Sequence, residues 1–325
     1  MAYFLGIDQG GSKTQAIIGD DTGHILGLAK SRGAVHSSDG MNVAMMACGE
    51  ACSKAVEEAG ITFQDIYGVY GGLTGIDWPD EGELVGRALA ETLGISNVHV
   101  VNDCLIALRG GTDAENSAII CAGSGLNCAV KAGNRQIQYG FYIPDRIQGG
   151  MALGNATLQS VFDAEAGIAE KTSLTEACLS YFHKKTVDEL LRSKVEGNIE
   201  NLQILFLPRI LEQQALLGDK VANSIFTDFA LSLSPFIVSG MKKLNIVGEP
   251  IEIVLSGSIF KCKADALIKT LKRDLLEKIP TATVIDAEYE PIIGAYLMAL
   301  DVYCGNSTTG MFRAVKENCK YNIFR

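Results

Sequence analysis

The sequence predicts an α/β fold built as two similar domains. Segments typical of β-strands alternate with segments typical of helices, which is the pattern of a mixed sheet with crossover helices. This pattern begins near residue 3 and starts again at Asn116. The chain has 325 residues, more than one hydrophobic core usually serves. We therefore expect a first domain at 1–115, a second at 116–305, and a tail at 306–325 to which we assign no role.

The first domain is predicted from hydrophobic spacing and from turn and stop signals. Its opening strands flank the sequence LGIDQGGSKT, residues 5–14. The elements that follow are a third strand at about 25–30, a helix at about 40–59 with Gly60 as its stop, a strand at 65–70, a helix that starts after Asp77-Trp78-Pro79 and ends at Gly94, and a strand at 98–101.

The second domain opens with the same arrangement of strand, glycine turn, strand, turn and strand. Its sequence is SAIICAGSGLNCAVKAGNRQIQYG, residues 117–140. Internal similarity of this kind indicates a duplicated unit. The elements that follow are a helical insertion at about 150–245, interrupted near Gly167, Gly197, Pro208 and Gly218, a strand at 251–255, a glycine turn, a helix to Lys278, a strand at 282–286 and an apolar helix that contains Gly294.

Composition narrows the classes of function. A net charge of −10 and a pI near 5.0 argue against a nucleic-acid or anionic-membrane surface. No apolar run in the sequence approaches the roughly 18 residues that span a bilayer. The nine cysteines include no C-x-x-C pair, so a zinc or cluster site is not expected. We predict a cytoplasmic protein that acts on a small molecule.

The turn in LGIDQGGSKT differs from a P-loop. Its glycines and lysine miss the P-loop spacing by one residue, Ser12, and a strand rather than a helix is predicted to follow. Asp8 ends an apolar strand beside glycines whose backbone N–H groups could face a metal-bound polyphosphate. An ordinary glycine-rich hairpin is the alternative that this stretch leaves open. Lys13 could reach a phosphate or be a solvated turn residue.

Asp103 stands between the apolar strand VHVV and the apolar run CLIAL. Ligand sites of α/β sheets lie at such carboxyl ends of strands. Phosphoryl transfer needs a carboxylate that accepts the proton of the acceptor hydroxyl, and Asp103 is a candidate for that base. The alternative is a helix N-cap provided by Asn102 or Asp103.

The order of these glycine turns resembles the actin-like ATPase and sugar kinase superfamily. Within it the chain is most similar to the family that groups N-acetylglucosamine kinases with BadF/BadG/BcrA/BcrD-type ATPases. The segments that carry the resemblance are 5–14, 119–128, 254–260 and 291–299, with GLTGID at 72–77, VVNDCLIAL at 100–108 and GSIFK at 257–261.

The resemblance implies two ribonuclease-H-like domains, each with a mixed five-stranded sheet, and an interdomain cleft that binds ATP. The last helix would pack back toward the first domain. The implied activity is ATP- and Mg²⁺-dependent phosphorylation of a hydroxyl of an amino sugar, either N-acetylglucosamine-like or N-acetylmuramic-acid-like. A homodimer is also implied.

The resemblance implies roles for individual residues. Asp8 would hold Mg²⁺ through water, and Asp103 would be the catalytic base. The residues implied to bind ATP are Gly10, Gly11, Ser12, Lys13, Thr14, Gly123, Ser124, Gly125, Gly257 and Ser258. The residues implied to bind the acceptor are His36, Gly75, Asp77, Asn102, Asn127, Gly149, Gly150 and Asn155.

Two acceptor positions depart from the family pattern. His36 stands where relatives carry an asparagine, and Asn155 stands where they carry an aspartate. An amide does not replace a carboxylate neutrally, since it offers one acceptor and one donor group. The sequence therefore does not identify which sugar is the acceptor.

Two alternative functions remain. One is an ATPase activator of a dehydratase or reductase, whose iron–sulfur cluster would need cysteines near the second glycine turn, where Cys121 and Cys128 lie. The other is a non-catalytic sugar-binding regulator. The presence of both Asp8 and Asp103 argues against a regulator, which needs neither a metal carboxylate nor a base.

Overall fold

The structure is a computed structural model in which residues 2–78, 80–304, 314, 315 and 317 are described. The predictions for Pro79 and for most of the tail lie outside these residues. The strands are β1 (Tyr3–Gln9), β2 (Lys13–Asp20), β3 (Ile25–Arg32), β4 (Ile66–Leu73), β5 (Val98–Val101), β6 (Asn116–Ala122), β7 (Leu126–Ala132), β8 (Arg135–Gln138), β9 (Ile251–Ser256) and β10 (Ala282–Asp286). The α-helices are α1 (His36–Asp39), α2 (Met41–Ala59), α3 (Glu81–Leu93), α4 (Asp103–Gly111), α5 (Gly149–Glu165), α6 (Leu174–Tyr181), α7 (Val187–Val195), α8 (Asn201–Leu216), α9 (Lys220–Leu231), α10 (Ser234–Leu244), α11 (Asp265–Lys278) and α12 (Pro291–Cys304).

The chain forms two compact units. Unit 1 consists of Met1–Ile119 and Ile285–Arg325, and unit 2 consists of Ile120–Val284. The division falls inside β6, the strand whose first residue is the predicted start of the second domain. Helix α12 belongs to unit 1 although it follows unit 2 along the chain.

The sheets confirm the predicted fold class. One five-stranded sheet has the order β3-β2-β1-β4-β5, and the other has the order β10-β9-β6-β7-β8. In the first sheet β1 is antiparallel to β2 and parallel to β4, and β4 is parallel to β5. This sheet is therefore mixed, as expected when a hairpin precedes crossover helices.

Alternation of side chains along β1 places helices on both faces of its sheet. Leu5 and Ile7 point into a cluster with residues of α2 and α3. Phe4 points the opposite way, into a cluster with Ile106 of α4 and with α12. Helices α2 and α3 end at Gly60 and Gly94, both left-handed, as predicted for helix stops.

Helices α4 and α12 cross at very close range. A Cβ atom added to Gly294 of α12 would lie 1.7 Å from the carbonyl oxygen of Ile106 in α4. Arg109 of α4 also donates two hydrogen bonds, of 2.6 and 3.2 Å, to the carboxylate of Asp301 in α12. Only glycine allows this approach of the two backbones, so α12 fixes the position of α4.

The helical insertion of unit 2 runs from Gly149 to Leu244, close to the prediction. One detail is wrong: Pro208 lies inside α8 and does not interrupt it. Proline cannot donate to the carbonyl of Ile204, four residues earlier. That carbonyl instead faces Gly154 of α5, where a Cβ atom would lie 2.2 Å from the oxygen. The freed carbonyl thus packs against a glycine, and the helix continues.

One helical stretch passes the length test for a membrane span, contrary to the sequence prediction. Lys220–Leu244, which combines α9 and α10, has a mean hydropathy of 1.4 and is 39% buried in its most apolar window. A core helix of a soluble protein passes the same test. Phe226, Phe229 and Ile237 are buried within the fold, as expected of core helices.

Candidate active site

The first glycine turn, Gly10–Lys13, is the tip of the β1–β2 hairpin. The backbone N–H of Gly10 donates to the carbonyl of Lys13 at 2.9 Å and closes the tip. The segment after β3 braces it, because a Cβ atom at Gly33 would lie 2.3 Å from the carbonyl oxygen of Gly11. A strand follows the tip, as predicted, so the turn is not a P-loop. Gly11 and Ser12 are exposed at its end.

Two residues of this turn have partners that the sequence did not reveal. The side chain of Thr14 is fully buried, and its hydroxyl donates to the carbonyl of Arg32 at 2.9 Å. Thr14 is therefore a correction, since a hydroxyl with this partner has no proton left for a phosphate. The backbone N–H of Gly10 is likewise taken by Lys13. Of the two hydroxyls predicted to face phosphate, Ser12 is the exposed one.

Lys13 is partly exposed and has two polar partners within the protein. Its ammonium donates to the side-chain carbonyl of Gln15 and lies 3.7 Å from the carboxylate of Glu290. Its side chain is 45% exposed, so the ion pair with Glu290 is weak and exchangeable. Lys13 can leave these partners for a phosphate at little cost.

Asp8 lies on the side of the sheet that α4 covers. Phe4, Gly6 and Asp8 share one face of β1, because side chains alternate along a strand. Phe4 contacts the cluster that includes Ile106 of α4, and a Cβ atom at Gly6 would lie 2.6 Å from the backbone of α12. Asp103 is the first residue of α4. The two predicted carboxylates therefore belong to the same layer of unit 1.

Asp8 also fits the role predicted for it toward Mg²⁺. Among the described residues, no group of three or more His, Cys, Asp or Glu side chains is placed to enclose a metal. Mg²⁺ is usually held by one or two carboxylates, with waters and substrate phosphates completing the shell. A single half-buried carboxylate beside an exposed glycine turn matches that donor set.

The structure separates the two roles that the sequence left open for Asn102 and Asp103. Asn102 is the N-cap of α4, because its side-chain oxygen accepts from the backbone N–H of Cys104 at 2.9 Å. Asp103 is therefore not the N-cap residue. Its Oδ2 instead accepts a 2.5 Å hydrogen bond from the hydroxyl of Thr74.

Burial raises the pKa of the Asp103 carboxyl above its ordinary value. The nearby charge of Asp77 raises this pKa further, whereas the hydrogen bond from Thr74 and the backbone amides at Asp103 and Cys104 lower it. A carboxylate with a raised pKa is a stronger base than an exposed aspartate. This environment suits proton abstraction from a hydroxyl.

We expect kcat/KM for acceptor-stimulated ADP release to fall as pH is lowered through the raised pKa of Asp103. Only the ionised carboxylate can accept a proton, and kcat/KM reports the free enzyme. An ordinary aspartate, with a pKa of about 3.9, would leave activity unchanged down to about pH 5. The measurement is a pH profile of kcat/KM for the folded protein. Constant activity down to about pH 5 would contradict the raised pKa.

The loop after β4 carries the predicted acceptor residues Gly75 and Asp77. The side-chain amide of Asn102 donates to Asp77 Oδ1 at 3.1 Å. The carboxylate of Glu81, at the start of α3, accepts from the backbone N–H groups of Asp77 and Trp78 at 2.8 and 2.9 Å. Asn102 is 3% exposed, so it orients Asp77 and does not present its own amide to solvent.

His36 lies against this loop. A Cβ atom at Gly75 would lie 3.3 Å from its ring carbon Cε1, and Gly75 has φ +90°, which favours glycine. Both ring nitrogens of His36 are buried and have no hydrogen-bond partner within the described part of the chain. Buried polar atoms are normally hydrogen-bonded. The two nitrogens therefore fit a polar ligand.

The second glycine turn, Gly123–Gly125, joins β6 and β7 in unit 2. It is held by the start of α5, where Gly150 N–H donates to the carbonyl of Gly123 at 2.8 Å. Gly149 has φ +54°, and a Cβ atom there would lie 2.2 Å from the carbonyl oxygen of Gly125. Gly149 and Gly150 thus shape the turn, and their contact with an acceptor stays a prediction. A Cβ atom at Gly123 would meet nothing within 4 Å.

The other predicted acceptor residues of unit 2 are engaged with neighbouring elements. Asn127 Oδ1 accepts from the backbone N–H of Gly140 at 2.9 Å. Asn155 is an exposed residue of α5 whose amide donates to the carbonyl of Met151 and accepts from Lys194 of α7 at 3.2 Å. A contact of either asparagine with the acceptor stays a prediction.

The third glycine turn begins at Gly257, directly after β9. Gly257 has φ +106°, and a Cβ atom there would lie 2.1 Å from the carbonyl oxygen of Ala122, the residue before the second glycine turn. Residue 257 must therefore be glycine because any side chain there would collide with the backbone of β6. Ser258 is exposed at the start of a short 3₁₀ helix. The second and third turns therefore lie side by side in unit 2.

Comparison with known proteins identifies the family. A sequence model of the BadF/BadG/BcrA/BcrD ATPase family matches residues 5–299, which is most of the chain. The chain belongs to this family.

The chain is also similar to three proteins that are named as kinases of N-acetylated amino sugars. An N-acetyl-D-glucosamine kinase of Dictyostelium discoideum is 27% identical over 92% of this chain and 98% of its own length. An N-acetylmuramic acid/N-acetylglucosamine kinase of Clostridium acetobutylicum is 24% identical over 92% of this chain and 98% of its own length. A crystal structure of a Chromobacterium violaceum protein, provisionally named N-acetylglucosamine kinase, has a TM-score of 0.72 at 18% identity, covering 92% of this chain and 99% of its own. The structural likeness confirms the fold.

Sequence reasoning missed three residues that hold predicted site residues, or the turn beside them, in place within their own unit. They are Thr74, which binds the candidate base, Glu81, which holds the loop at Asp77, and Gln148, whose Oε1 accepts from the N–H of Leu126 at 3.0 Å. Thr74 lies inside the quoted GLTGID motif and could have been found there. Glu81 and Gln148 lie in no sequence motif that would have indicated their role.

The cysteines near the second glycine turn are poor candidates for the cluster of a family activator. Cys128 is fully buried, and burial raises the pKa of its thiol far above the ordinary value. Metal ligation requires the thiolate. Cys121 is only partly buried. Nothing in the geometry of this turn therefore favours the activator.

Proposed function

We propose that the protein is an ATP-dependent kinase that phosphorylates a hydroxyl of an amino sugar. The observation that carries the proposal is Asp103. It is the first residue of α4, its carboxylate accepts a hydrogen bond from Thr74, and Asn102 provides the N-cap. The two curated relatives support the class of acceptor, since both are named as kinases of N-acetylated amino sugars.

In the proposed reaction Asp103 accepts the proton of the acceptor hydroxyl. The hydroxyl oxygen forms a bond to the γ-phosphorus of ATP, while the bond from that phosphorus to the bridging oxygen breaks and ADP leaves. Mg²⁺, held through water by Asp8, would neutralise charge on the phosphates. Gly11 and Ser12 would contact phosphate at the first glycine turn. The turns at Gly123–Gly125 and Gly257–Ser258 would contact phosphate and adenosine.

The acceptor would be recognised by the loop after β4. His36 would use its two buried ring nitrogens, one as donor and one as acceptor, toward sugar hydroxyls or the N-acetyl group. Asp77, oriented by Asn102 and Glu81, would accept from a second hydroxyl. Gly75 packs closely beside His36, because a Cβ atom at residue 75 would lie 2.9 Å from the hydroxyl oxygen of Ser37.

The single experiment that tests the function is an ADP-release assay with the purified full chain, ATP and Mg²⁺. Hexoses, N-acetylhexosamines and N-acetylmuramic acid are offered one at a time. We expect ADP release that depends on an amino sugar and stops when EDTA removes Mg²⁺. Sugar binding without ADP release would favour the regulator. A brown, air-sensitive protein whose ATP hydrolysis needs no sugar would favour the activator.

Replacing His36 with phenylalanine is expected to raise the acceptor KM about tenfold and leave the ATP KM unchanged. Phenylalanine keeps an aromatic ring but removes both nitrogens. The loss of one hydrogen bond worth about 1 kcal/mol or more raises KM by roughly this factor. His24→Phe, at an exposed histidine on the turn after β2, is the matched control. An acceptor KM unchanged in His36→Phe would exclude His36 from acceptor binding.

The proposal also includes a cytoplasmic location, a homodimer and the predicted division into domains at residues 115 and 116. Light scattering of the purified protein tests the dimer, and a single species of about twice the 34.7 kDa chain is the expected result. The acidic composition supports a protein without nucleic-acid partners.

A further inference from the structure

Thr74 connects the first glycine turn to the candidate base. It follows β4 directly, and its backbone N–H donates to the carbonyl of Gln9 at 2.9 Å. Its hydroxyl donates to Asp103 Oδ2 at 2.5 Å. A Cβ atom at Gly10 would lie 3.8 Å from the same hydroxyl oxygen. Thr74 therefore binds the end of β1 through its backbone and the Asp103 carboxylate through its side chain.

The parallel pairing of β4 and β5 creates this contact. Gly72 and Val101 are register partners in these two strands. Thr74 and Asp103 each follow their strand partner by two residues. Parallel strands end at the same edge of a sheet, so the two side chains meet although they are 29 residues apart in the sequence.

The properties of threonine match a positioning role. The χ2 torsion of an aspartate is broad, so packing alone does not fix the rotation of its carboxylate. A β-branched side chain is stiff at χ1, and its hydroxyl can hold one oxygen in place. Thr74 is partly buried, which limits competition from water for this hydrogen bond.

We propose that Thr74 is a positioning residue that sets the rotation of the Asp103 carboxylate for proton abstraction. This inference rests on the proposed kinase function. Thr74 does not need to touch the acceptor or ATP, because it acts through Asp103. Its backbone hydrogen bond to Gln9 also ties it to the strand that ends at the first glycine turn.

The test compares Thr74→Val with Thr74→Ser. Valine keeps the β-branched shape without the hydroxyl, and serine keeps the hydroxyl without the methyl group. We expect Thr74→Val to lower kcat about 100-fold, the scale of a misplaced catalytic group, with both KM values nearly unchanged. Thr74→Ser should keep most of the activity. Full activity in Thr74→Val, or equal losses in both variants, would overturn the proposal.

A double variant separates positioning from a general effect on folding. In the Asp103→Asn background there is no base to orient, so adding Thr74→Val should lower the residual rate no further. An added loss of the same size as in the wild-type background would overturn the proposal. The kinase function fails separately, if wild type shows no sugar-dependent ADP release or if Asp103→Asn retains it.

Discussion

Replacing Asp103 with asparagine is expected to lower sugar-dependent ADP release by about 10²- to 10⁴-fold, the usual contribution of a positioned base. Asparagine has nearly the same shape and can still accept the hydrogen bond from Thr74. It cannot take a proton from the acceptor hydroxyl. The loss should appear in kcat, with the KM for ATP nearly unchanged.

The same variant should be more stable than wild type near neutral pH. Because the fold raises the pKa of Asp103, it disfavours the ionised carboxylate. The stability that the protonated form provides at low pH is lost as pH rises through the raised pKa. Asparagine removes this loss, so its free energy of unfolding at pH 7 should exceed that of wild type. Lower activity with higher stability cannot come from misfolding.

Asp113→Asn is the matched control for this substitution. Asp113 is exposed in the loop after α4, and the change is chemically identical. It should alter neither ADP release nor stability. If Asp103→Asn retained wild-type turnover, or if Asp113→Asn lost as much, the base would have to be sought elsewhere.

Replacing Gly294 with alanine is expected to lower the free energy of unfolding of the protein by about 3 kcal/mol, the upper end for overpacking. The new methyl carbon would lie 1.7 Å from the carbonyl oxygen of Ile106, so α4 and α12 must separate. A loss of this size corresponds to a fall in Tm of roughly 6–12 °C. ADP release should fall too, since α4 carries Asp103.

Thermal melting can be followed by the fluorescence of Trp78, the single tryptophan, which lies in unit 1. Gly86→Ala is the control: it also lies in a helix, and its new Cβ atom would meet Val100 at an ordinary 3.4 Å. That variant should be neutral or slightly stabilising, because alanine favours helix. Equal Tm values for the two variants would show that the crossing tolerates a methyl group.

Much of unit 1 follows from local sequence signals. Turn and stop residues predict correctly the hairpin whose tip lies in LGIDQGGSKT, the helix ends at Gly60 and Gly94, and the strand at Val98–Val101. Each of these depends on neighbours only a few residues away. The positions of the glycine turns and of Asp103 next to strand ends were predictable for the same reason.

The features that the sequence did not reveal depend on contacts between distant segments. Thr74 gains its role from the register of β4 and β5, which no local pattern encodes. Thr14 was misassigned because the carbonyl that takes its proton belongs to Arg32 on the next strand. Pro208 was expected to break a helix, but α8 continues through it, and the freed carbonyl of Ile204 faces Gly154 of another helix.

The crossing of α4 and α12 has a consequence for the order in which the protein is made. Residues up to 119 leave the ribosome first, but α12 begins only at Pro291. All of unit 2 is therefore synthesised before the helix that holds α4 in place emerges. Domains generally fold as they appear during synthesis. Unit 2 can then complete its fold first, and the helix that carries Asp103 becomes fixed only after all of unit 2 has been made.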